Sequence, residues 1–273
     1  MESLCAGGDA KYRHAGRYLH YGLWLLWLWT CPAGSDERVR WQQPAEILRS
    51  FHEIALRTEY GPDAKVLQKW TSPVNIWLDH RVGDADKHAM LVRMHIEHLA
   101  AITGHPLRLV NSPAEANMKL IFSRNDQFFR DARNEMGVQA AGIVRSSTCI
   151  CSLKSVQGSL VKATIIIPVD RARAQRKLVA CIVEEITQAM GLPNDSDSVY
   201  PSIFNDRSTD QLLSGLDYLL LRILYDPRMH AGMPPGAAMA LAQTIIGEMQ
   251  VQGTIGAAAR LARSGALYRL LGL

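Results

Sequence analysis

The sequence predicts a mixed α/β (α+β) fold, and three observations support this class. Short runs rich in β-branched residues, such as 164–167, are typical of buried strands. Longer segments, such as 171–190, repeat apolar residues every three or four positions and indicate amphipathic helices. The chain has 273 residues, of which 48% are hydrophobic, and this suffices to bury a sizeable core.

The first half of the predicted domain alternates between helices and strands. Apolar spacing indicates a helix within residues 40–70, and the side-chain alternation that follows Pro73 predicts a strand. Gly104 stops the next helix, because glycine adopts the backbone conformation that ends helices. The predicted elements are a helix at 40–70, a strand at 74–78, a helix at 84–103, and strands at 107–110 and 118–122.

The second half adds strands, a helix and an apolar C-terminal region. Residues 127–142 are polar and mixed, and they receive no assignment. The predicted elements are an edge strand at 143–153, a buried strand at 161–169, helices at 171–190 and 211–225, and terminal helices at 234–249 and 257–271. Strands therefore surround two long helices, and a C-terminal helical appendage follows them.

The first 33 residues are typical of an export signal. Three basic residues precede an apolar segment at 18–31, which is shorter than the roughly 20 residues that span a membrane. We predict a signal peptide at 1–33 with cleavage after Ala33, and hence a periplasmic or envelope-anchored protein. Two alternatives stay open, a lipid on Cys31 that would make the protein peripheral to the membrane, and an uncleaved anchor helix. The predicted divisions of the mature chain are a helical segment at 34–72, a domain at 73–233 and helices at 234–273.

Export determines how the cysteines are interpreted. The mature chain keeps Cys149, Cys151 and Cys181, and an odd number in an oxidising compartment favours one disulfide and one free thiol. Cys149 and Cys151 lie two apart in a predicted strand, so their side chains share a face and pair poorly with each other. We therefore predict a disulfide between Cys181 and either Cys149 or Cys151.

Charge and motifs exclude several classes of function. The formal net charge is +4, and the basic residues are scattered, so no nucleic-acid partner is expected. The sequence contains no Gly-x-Ser-x-Gly elbow and no phosphate-binding glycine loop. His88, His95 and His98 on the helix at 84–103 are expected to face solvent rather than to bind a metal.

One helical segment, residues 184–195, carries the functional argument. It reads Glu-Glu-Ile-Thr-Gln-Ala-Met-Gly-Leu-Pro-Asn-Asp. Helical spacing places Glu184 and Gln188 one turn apart on one face, and turns Glu185 about 100° away. Gly191 lets the chain swing back beneath that face. In zinc peptidases the two positions four residues apart are histidines, and the residue after the first is the glutamate base.

This segment resembles the long zinc-binding motif of the metzincins, and of the matrixin group in particular, whose helix typically reads His-Glu-Ile-Gly-His-Ala-Leu-Gly-Leu. The residues that match in register are Glu185, Ile186, Ala189, Gly191 and Leu192. The resemblance extends over residues 73–227 and implies a metzincin-like twisted sheet with two long helices. It also implies that Glu185 occupies the position of the catalytic base, a role it has only if the protein is active.

The metal-ligand positions implied by this register are Glu184, Gln188 and Asn194, and none of them is histidine. Amide oxygens are poor zinc ligands, so we expect no zinc and no other cofactor. The alternative is calcium or another oxygen-liganded metal, because acidic and amide side chains crowd the loop that follows. These loop residues are Asp195, Asp197, Asn205 and Asp206.

Residues 181–206 more closely resemble a proteobacterial domain-of-unknown-function family that includes lipoproteins. Its members carry Glu-Glu-x-Thr-Gln, then Gly-Leu-x-Asn-Asp and Pro-Ser-Ile-Phe-Asn-Asp. This chain has all three motifs, which begin at Glu184, Gly191 and Pro201. In such a family the missing histidines belong to the pattern, and the resemblance implies no established activity.

These observations lead to three functional expectations. The first is an exported, non-catalytic pseudo-peptidase that binds a peptide or an envelope protein, by strand addition at an open sheet edge. The second is a metal-dependent hydrolase that uses Glu185 with non-histidine ligands. The third is a structural envelope protein that assembles through its terminal helices. The enzyme question stays open, and the missing ligands weigh against catalysis.

Overall fold

The computed structural model describes residues 40–57, 66–205 and 207–273. The predicted signal peptide, Cys31 and Asp206 lie outside these residues. Within them, no helix has both the length and the apolar character needed to span a bilayer.

A six-stranded, mostly parallel sheet forms the centre of the fold. Its strands are β1 (Lys69–Trp70), β2 (Val74–His80), β3 (Leu107–Val110), β4 (Met118–Ser123), β5 (Ile150–Val156) and β6 (Ser159–Pro168). Five strands pair in parallel in the order β1-β6-β4-β2-β3. Strand β5 runs antiparallel to β6 on the side away from β4, because both neighbours pair with residues 163–166.

Ten helices surround the sheet within the described residues. They are α1 (Pro44–Ala55), α2 (Ala85–Thr103), α3 (Asn125–Met136), α4 (Val138–Ile143), α5 (Val169–Ala174), α6 (Leu178–Gln188), α7 (Gly215–Leu224), α8 (Pro235–Val251), α9 (Thr254–Ala262) and α10 (Ala266–Leu271). A short 3-10 turn, Pro113–Glu115, precedes β4. The predicted α/β class is confirmed.

Several predicted boundaries were wrong. The helix expected at 40–70 ends at Ala55, and Lys69–Trp70 pairs with β6 as a strand. The unassigned region at 127–142 contains α3 and α4. The helix expected at 171–190 is divided into α5 and α6, because Arg176 adopts a left-handed φ of 58° that interrupts the helical backbone.

Both faces of the sheet are covered, which explains the continuous apolar run in β6. Ile165 and Ile167 enter the main core, where α1, α2, α6 and α7 pack, while Ile166 points to a smaller cluster beneath α3. Side chains alternate across a strand, so a strand between two cores has no polar face. The C-terminal helices also enter the main core, through residues that include Ile245, Ile246 and Leu267.

The C-terminal end of α6 is held firmly. The Trp70 indole Nε1 donates a hydrogen bond to the Ala189 carbonyl over 2.7 Å, and the Tyr225 hydroxyl donates to the Met190 carbonyl over 2.8 Å. These donors satisfy carbonyls that a helix end leaves without intrahelical partners. Gly191 follows with φ 108°, and a Cβ there would lie 2.3 Å from the Gln68 carbonyl oxygen. Only glycine fits this turn, which directs the next loop back along α6.

Candidate binding cleft

A cleft of about 620 Å³ separates β5 from α6. Helix α6 contributes Glu184, Glu185 and Gln188, and the following loop contributes Asp195. The opposite wall contains residues 149–153, which include the first part of β5. Side chains alternate across a strand, so a cavity bordered by four consecutive strand residues, 150–153, runs along the edge of the strand. Within the described residues β5 pairs only with β6, so its other edge is unpaired. This unpaired edge faces the cleft.

A disulfide aligns β5 with α6. It joins Cys149 to Cys181 with their Cα atoms 6.0 Å apart, so of the two predicted pairings the one with Cys149 is correct. Two residues along a strand advance about 6.8 Å, and four residues along a helix advance about 6 Å. The step of two residues leads from Cys149 to Cys151, and the step of four residues leads from Cys181 to Glu185. The two advances are similar, so Cys151 and Glu185 are expected to lie opposite each other. Both residues line the cleft.

The free thiol of Cys151 lies within the field of two carboxylates. Burial raises its pKa well above the usual range, and the negative charges of Glu185 and Asp195 raise it further. A thiol with a raised pKa stays protonated at neutral pH and is a weak nucleophile. Cys151 therefore lacks the lowered pKa of an activated cysteine in a thiol hydrolase.

The three predicted metal-ligand positions do not converge. Glu184 and Gln188 line the cleft, but the Asn194 amide donates a hydrogen bond over 2.8 Å to the Glu53 carbonyl of α1. The cleft receives Asp195 in its place, whose Oδ1 accepts a 2.7 Å hydrogen bond from the Gln188 Nε2. Among the residues that the structure describes, no group of three or more His, Cys, Asp or Glu could hold a metal ion.

The remaining loop residues fold the loop rather than line the cleft. Asp197 is exposed and forms a 2.8 Å ion pair with Arg207. The Asn205 amide is buried and donates to the carbonyls of Asp197 and Val199, over 3.1 and 3.0 Å. Of the three predicted loop residues that the structure describes, Asp195 alone lines the cleft. The fourth, Asp206, lies outside the described residues.

A second cavity of about 240 Å³ lies beyond one end of the cleft. Glu184 and Lys177 line both cavities and therefore stand between them. Its lining includes the charged or polar residues Arg176, Asn205 and Asp210. Charges of both signs are thus present at this end, whereas Glu185 and Asp195 lie in the main cleft alone.

Two buried networks keep α6 and its loop in place. Thr187 donates its single hydroxyl hydrogen to the Val183 carbonyl, so its oxygen accepts the 3.1 Å bond from His95 Nε2 and ties α6 to α2. On the loop side, the buried Asp217 carboxylate accepts hydrogen bonds from the Ser202 hydroxyl and from the backbone N–H of Ile203, over 2.6 and 3.0 Å. Burial raises the pKa of Asp217 to about 6, although the donors around it favour the charged form.

The expectation that the histidines of α2 face solvent was wrong. His88 and His95 are fully buried, and His98 is partly buried. His88 stacks on Phe122 and His80 with nearly parallel ring planes. A metal binds in the plane of an imidazole ring, and two stacked parallel rings cannot direct their nitrogens at one ion. His88 is therefore a packing residue.

Sequence reasoning missed two features of the cleft. It treated Cys151 only as a disulfide candidate, although the cysteine alternation already placed Cys149 and Cys151 on one face of an edge strand. It also gave Asn194 a metal-ligand position and placed Asp195 among the loop residues that follow, and no local signal shows which of the two lines the cleft. The direction of each side chain depends on contacts with α1 and Gln188, which are remote in sequence or follow a turn.

Comparison with known proteins provides a family but no activity. A family model described as "Protein of unknown function (DUF2927)" matches residues 44–244. No curated protein and no solved structure matches the chain.

Proposed function

Because the chain belongs to the DUF2927 family, which carries no assigned activity, we propose its function from the cleft, as a non-catalytic module that binds an extended peptide segment of a partner along β5. The single observation that carries this proposal is the edge of β5, which borders a 620 Å³ cleft over four consecutive residues, 150–153. An open strand edge offers backbone donors and acceptors to a peptide that adds as a further strand. The volume lies within the usual range of binding sites.

We also propose that the cleft is derived from the substrate groove of a metzincin-like peptidase. It is supported by the placement of Glu184, Glu185 and Gln188 on a helix beside an edge strand, followed by the left-handed turn at Gly191. In this interpretation the groove of a peptidase is kept and its chemistry is lost. Two hydrogen bonds at the metal-ligand positions support the absence of catalysis. Gln188 donates to Asp195, and Asn194 donates to the Glu53 carbonyl of α1.

We place the protein outside the cytoplasm, in the periplasm or anchored in the envelope, with a peptide or envelope protein as partner and no cofactor. The Cys149–Cys181 disulfide supports this location, because structural disulfides persist mainly in oxidising compartments. The basic and apolar segments of the first 33 residues are the second support.

The test is a backbone scan of a bound peptide. Protein purified from cells that express the full chain is screened against a library of eight-residue peptides, and the tightest ligand is then N-methylated at one residue at a time. Strand addition predicts that methylation weakens binding at every second residue, since alternate N–H groups point to β5. EDTA is expected to leave binding unchanged, and no cleavage of the peptide is expected by mass spectrometry.

Two results would contradict the proposal. One is the absence of any peptide ligand, and the other is tolerance of N-methylation along the whole peptide. Metal-dependent cleavage that Glu185→Gln abolishes would replace the binding module with the hydrolase alternative.

A further inference from the structure

The smaller hydrophobic cluster of the protein opens into the cleft. This cluster lies beneath α3 and includes Phe128, Val144 and Ile150. Ile150 also lines the cleft, and so does Met136, which packs against the cluster from the end of α3. The cleft therefore has an apolar wall that continues an existing core, and this wall lies beside the unpaired edge of β5.

Helix α4 extends this apolar wall. Ala140 and Ile143 of this helix line the cleft together with the polar Gln139, and both apolar residues are partly buried. They are three residues apart, so they share one face of the helix. Val138 of the same helix is 73% exposed and does not line the cleft. The helix thus directs an apolar face towards the cleft.

This short helix has little packing of its own. Its main packing partner among the described elements is α3, and none of its described side chains belongs to either buried cluster. A helix of six residues is not stable by itself in water and depends on tertiary contacts. An occupant of the cleft would supply such contacts to its inner face.

Both ends of α4 are nevertheless fixed. Gly137 joins α3 to α4 with a φ of 97°, a backbone conformation that residues with a side chain rarely adopt. At the other end, the Arg171 guanidinium donates hydrogen bonds to the carbonyls of Val144 and Ser147, each over 2.8 Å. The apolar face of α4 is therefore held in position beside β5.

We propose that the peptide bound along β5 carries a large apolar side chain, such as leucine or methionine, that packs against Met136, Ala140 and Ile143. This inference rests on the proposed function and specifies its ligand. The unpaired edge of β5 selects an extended polypeptide, because a backbone supplies donors and acceptors at the spacing of a strand. The apolar wall beside that edge then selects the side chain. Each methylene group that is removed from water favours binding about fourfold.

The experiment varies one side chain at a time in a peptide. The tightest octapeptide from the library is synthesised again with leucine, methionine, alanine or asparagine at each position in turn, and dissociation constants are measured by calorimetry. Asparagine has nearly the size of leucine but is polar. At one position we expect leucine or methionine to bind at least about tenfold tighter than alanine or asparagine.

Variants of the apolar wall then locate the contact. Ala140→Leu fills the space of the ligand side chain, so the preference at that position is expected to reverse in favour of alanine. Ile143→Ala removes part of the wall and should reduce the preference for leucine below about threefold. Val138→Ala is the matched control on the same helix, because Val138 is exposed and does not line the cleft. Circular dichroism and a melting curve for each variant establish that the fold is kept.

Hydrogen exchange at the amides of α4 tests the same contact in the unmodified protein. The leucine peptide should slow this exchange at least about tenfold, because it gives the helix a second packing partner. The asparagine peptide, at equal saturation, should leave the exchange nearly unchanged.

The outcomes separate the two proposals. Peptides that bind along β5 equally well with leucine and asparagine at every position would overturn this inference and leave the proposed function standing. A preference for leucine that is unchanged in both Ala140→Leu and Ile143→Ala would also overturn it, because another surface would then hold the side chain. So would unchanged exchange at α4 in the leucine complex. No binding by any peptide would overturn the proposed function itself and this inference with it.

Discussion

At the scale of single residues, the cleft is characterised by the charges around one thiol. Cys151 is held by burial and by Glu185 and Asp195 in its protonated form. Asn194, which spacing alone placed among the ligand positions, instead fixes the loop to α1. The Glu185 prediction depended on local periodicity, whereas the roles of Asp195 and Asn194 depended on side-chain directions after a turn. Helical spacing does not extend past the end of the helix, so the sequence could not separate these two residues.

Alkylation of Cys151 tests the field of the two carboxylates. Removing a neighbouring negative charge lowers the thiol pKa, so Glu185→Gln and Asp195→Asn should each speed alkylation by iodoacetamide several-fold at pH 8. Burial also raises this pKa and stays in place, so the thiol should not become fully reactive. Mass spectrometry of the intact protein gives the rate. Glu97→Gln is the control, because Glu97 is exposed on α2 and does not line the cleft. An unchanged alkylation rate in both Glu185→Gln and Asp195→Asn would show that the thiol does not experience these charges.

Because His88 is buried, we expect the free energy of unfolding to fall as the pH decreases. Burial lowers the pKa of His88 to about 4, with help from the neighbouring Arg173 and His80 and against the opposing effect of Asp84. Between about pH 6.5 and 4 the unfolded chain takes up a proton that the folded chain refuses. The stability contributed by neutral His88 is therefore complete above pH 6.5 and is lost through this window, at a slope of at most about 1.4 kcal/mol per pH unit.

The measurement is urea unfolding of the wild type and His88→Phe at several pH values between 5 and 7. Phenylalanine preserves the stacking on Phe122 and has no titratable group, so its stability should depend less on pH. The difference between the two curves isolates His88 from the buried His95, whose pKa is also lowered. Parallel curves would exclude His88 as a source of acid sensitivity.

At the scale of elements, the disulfide sets the register between β5 and α6. The sequence predicted the partner Cys181, because two cysteines on one strand face cannot pair well with each other. It could not choose between Cys149 and Cys151, since both face the helix. That choice depends on how far the strand slides along α6, which the packing of the whole sheet determines.

Loss of the disulfide should destabilise the protein markedly. The bridge spans 32 residues, and closing a loop of that length in the unfolded chain corresponds to roughly 3–4 kcal/mol. We expect the double variant Cys149→Ala/Cys181→Ala to lose about this much in urea unfolding and to bind peptides more weakly. Cys151→Ala should keep the stability within about 1 kcal/mol, because it removes a small, partly buried side chain. Equal losses of stability in both variants would contradict a structural role for the disulfide.

At the scale of the whole molecule, the terminal helices belong to the same hydrophobic core as the sheet. Helix α8 packs on α1, α9 on α7 and α10 on α2. The sequence predicted these helices from their apolar pattern, but it could not show what they cover. Because they are part of the core, their deletion is a test of folding rather than of a separate assembly surface.

We expect the terminal helices and the sheet to unfold in a single transition. Ile246 on α8 is 1% exposed, and Ile246→Ala should lower the stability of the whole chain by about 2–5 kcal/mol. Val251 on the same helix is 91% exposed, so Val251→Ala should change it by less than about 0.5 kcal/mol. Urea unfolding followed by both fluorescence and circular dichroism measures this. A separate transition for the terminal helices would contradict the shared core.

The sequence by itself determined the α/β class, the glutamates on one helix and the participation of Cys181 in a disulfide. Each of these follows from periodicity or alternation within one element, which is a local property. Only the tertiary structure decided that Cys149 is the partner, that Asp195 rather than Asn194 enters the cleft, and that the edge of β5 forms its wall. These features require contacts between segments that are distant in the chain, and such contacts are determined by packing rather than by local pattern.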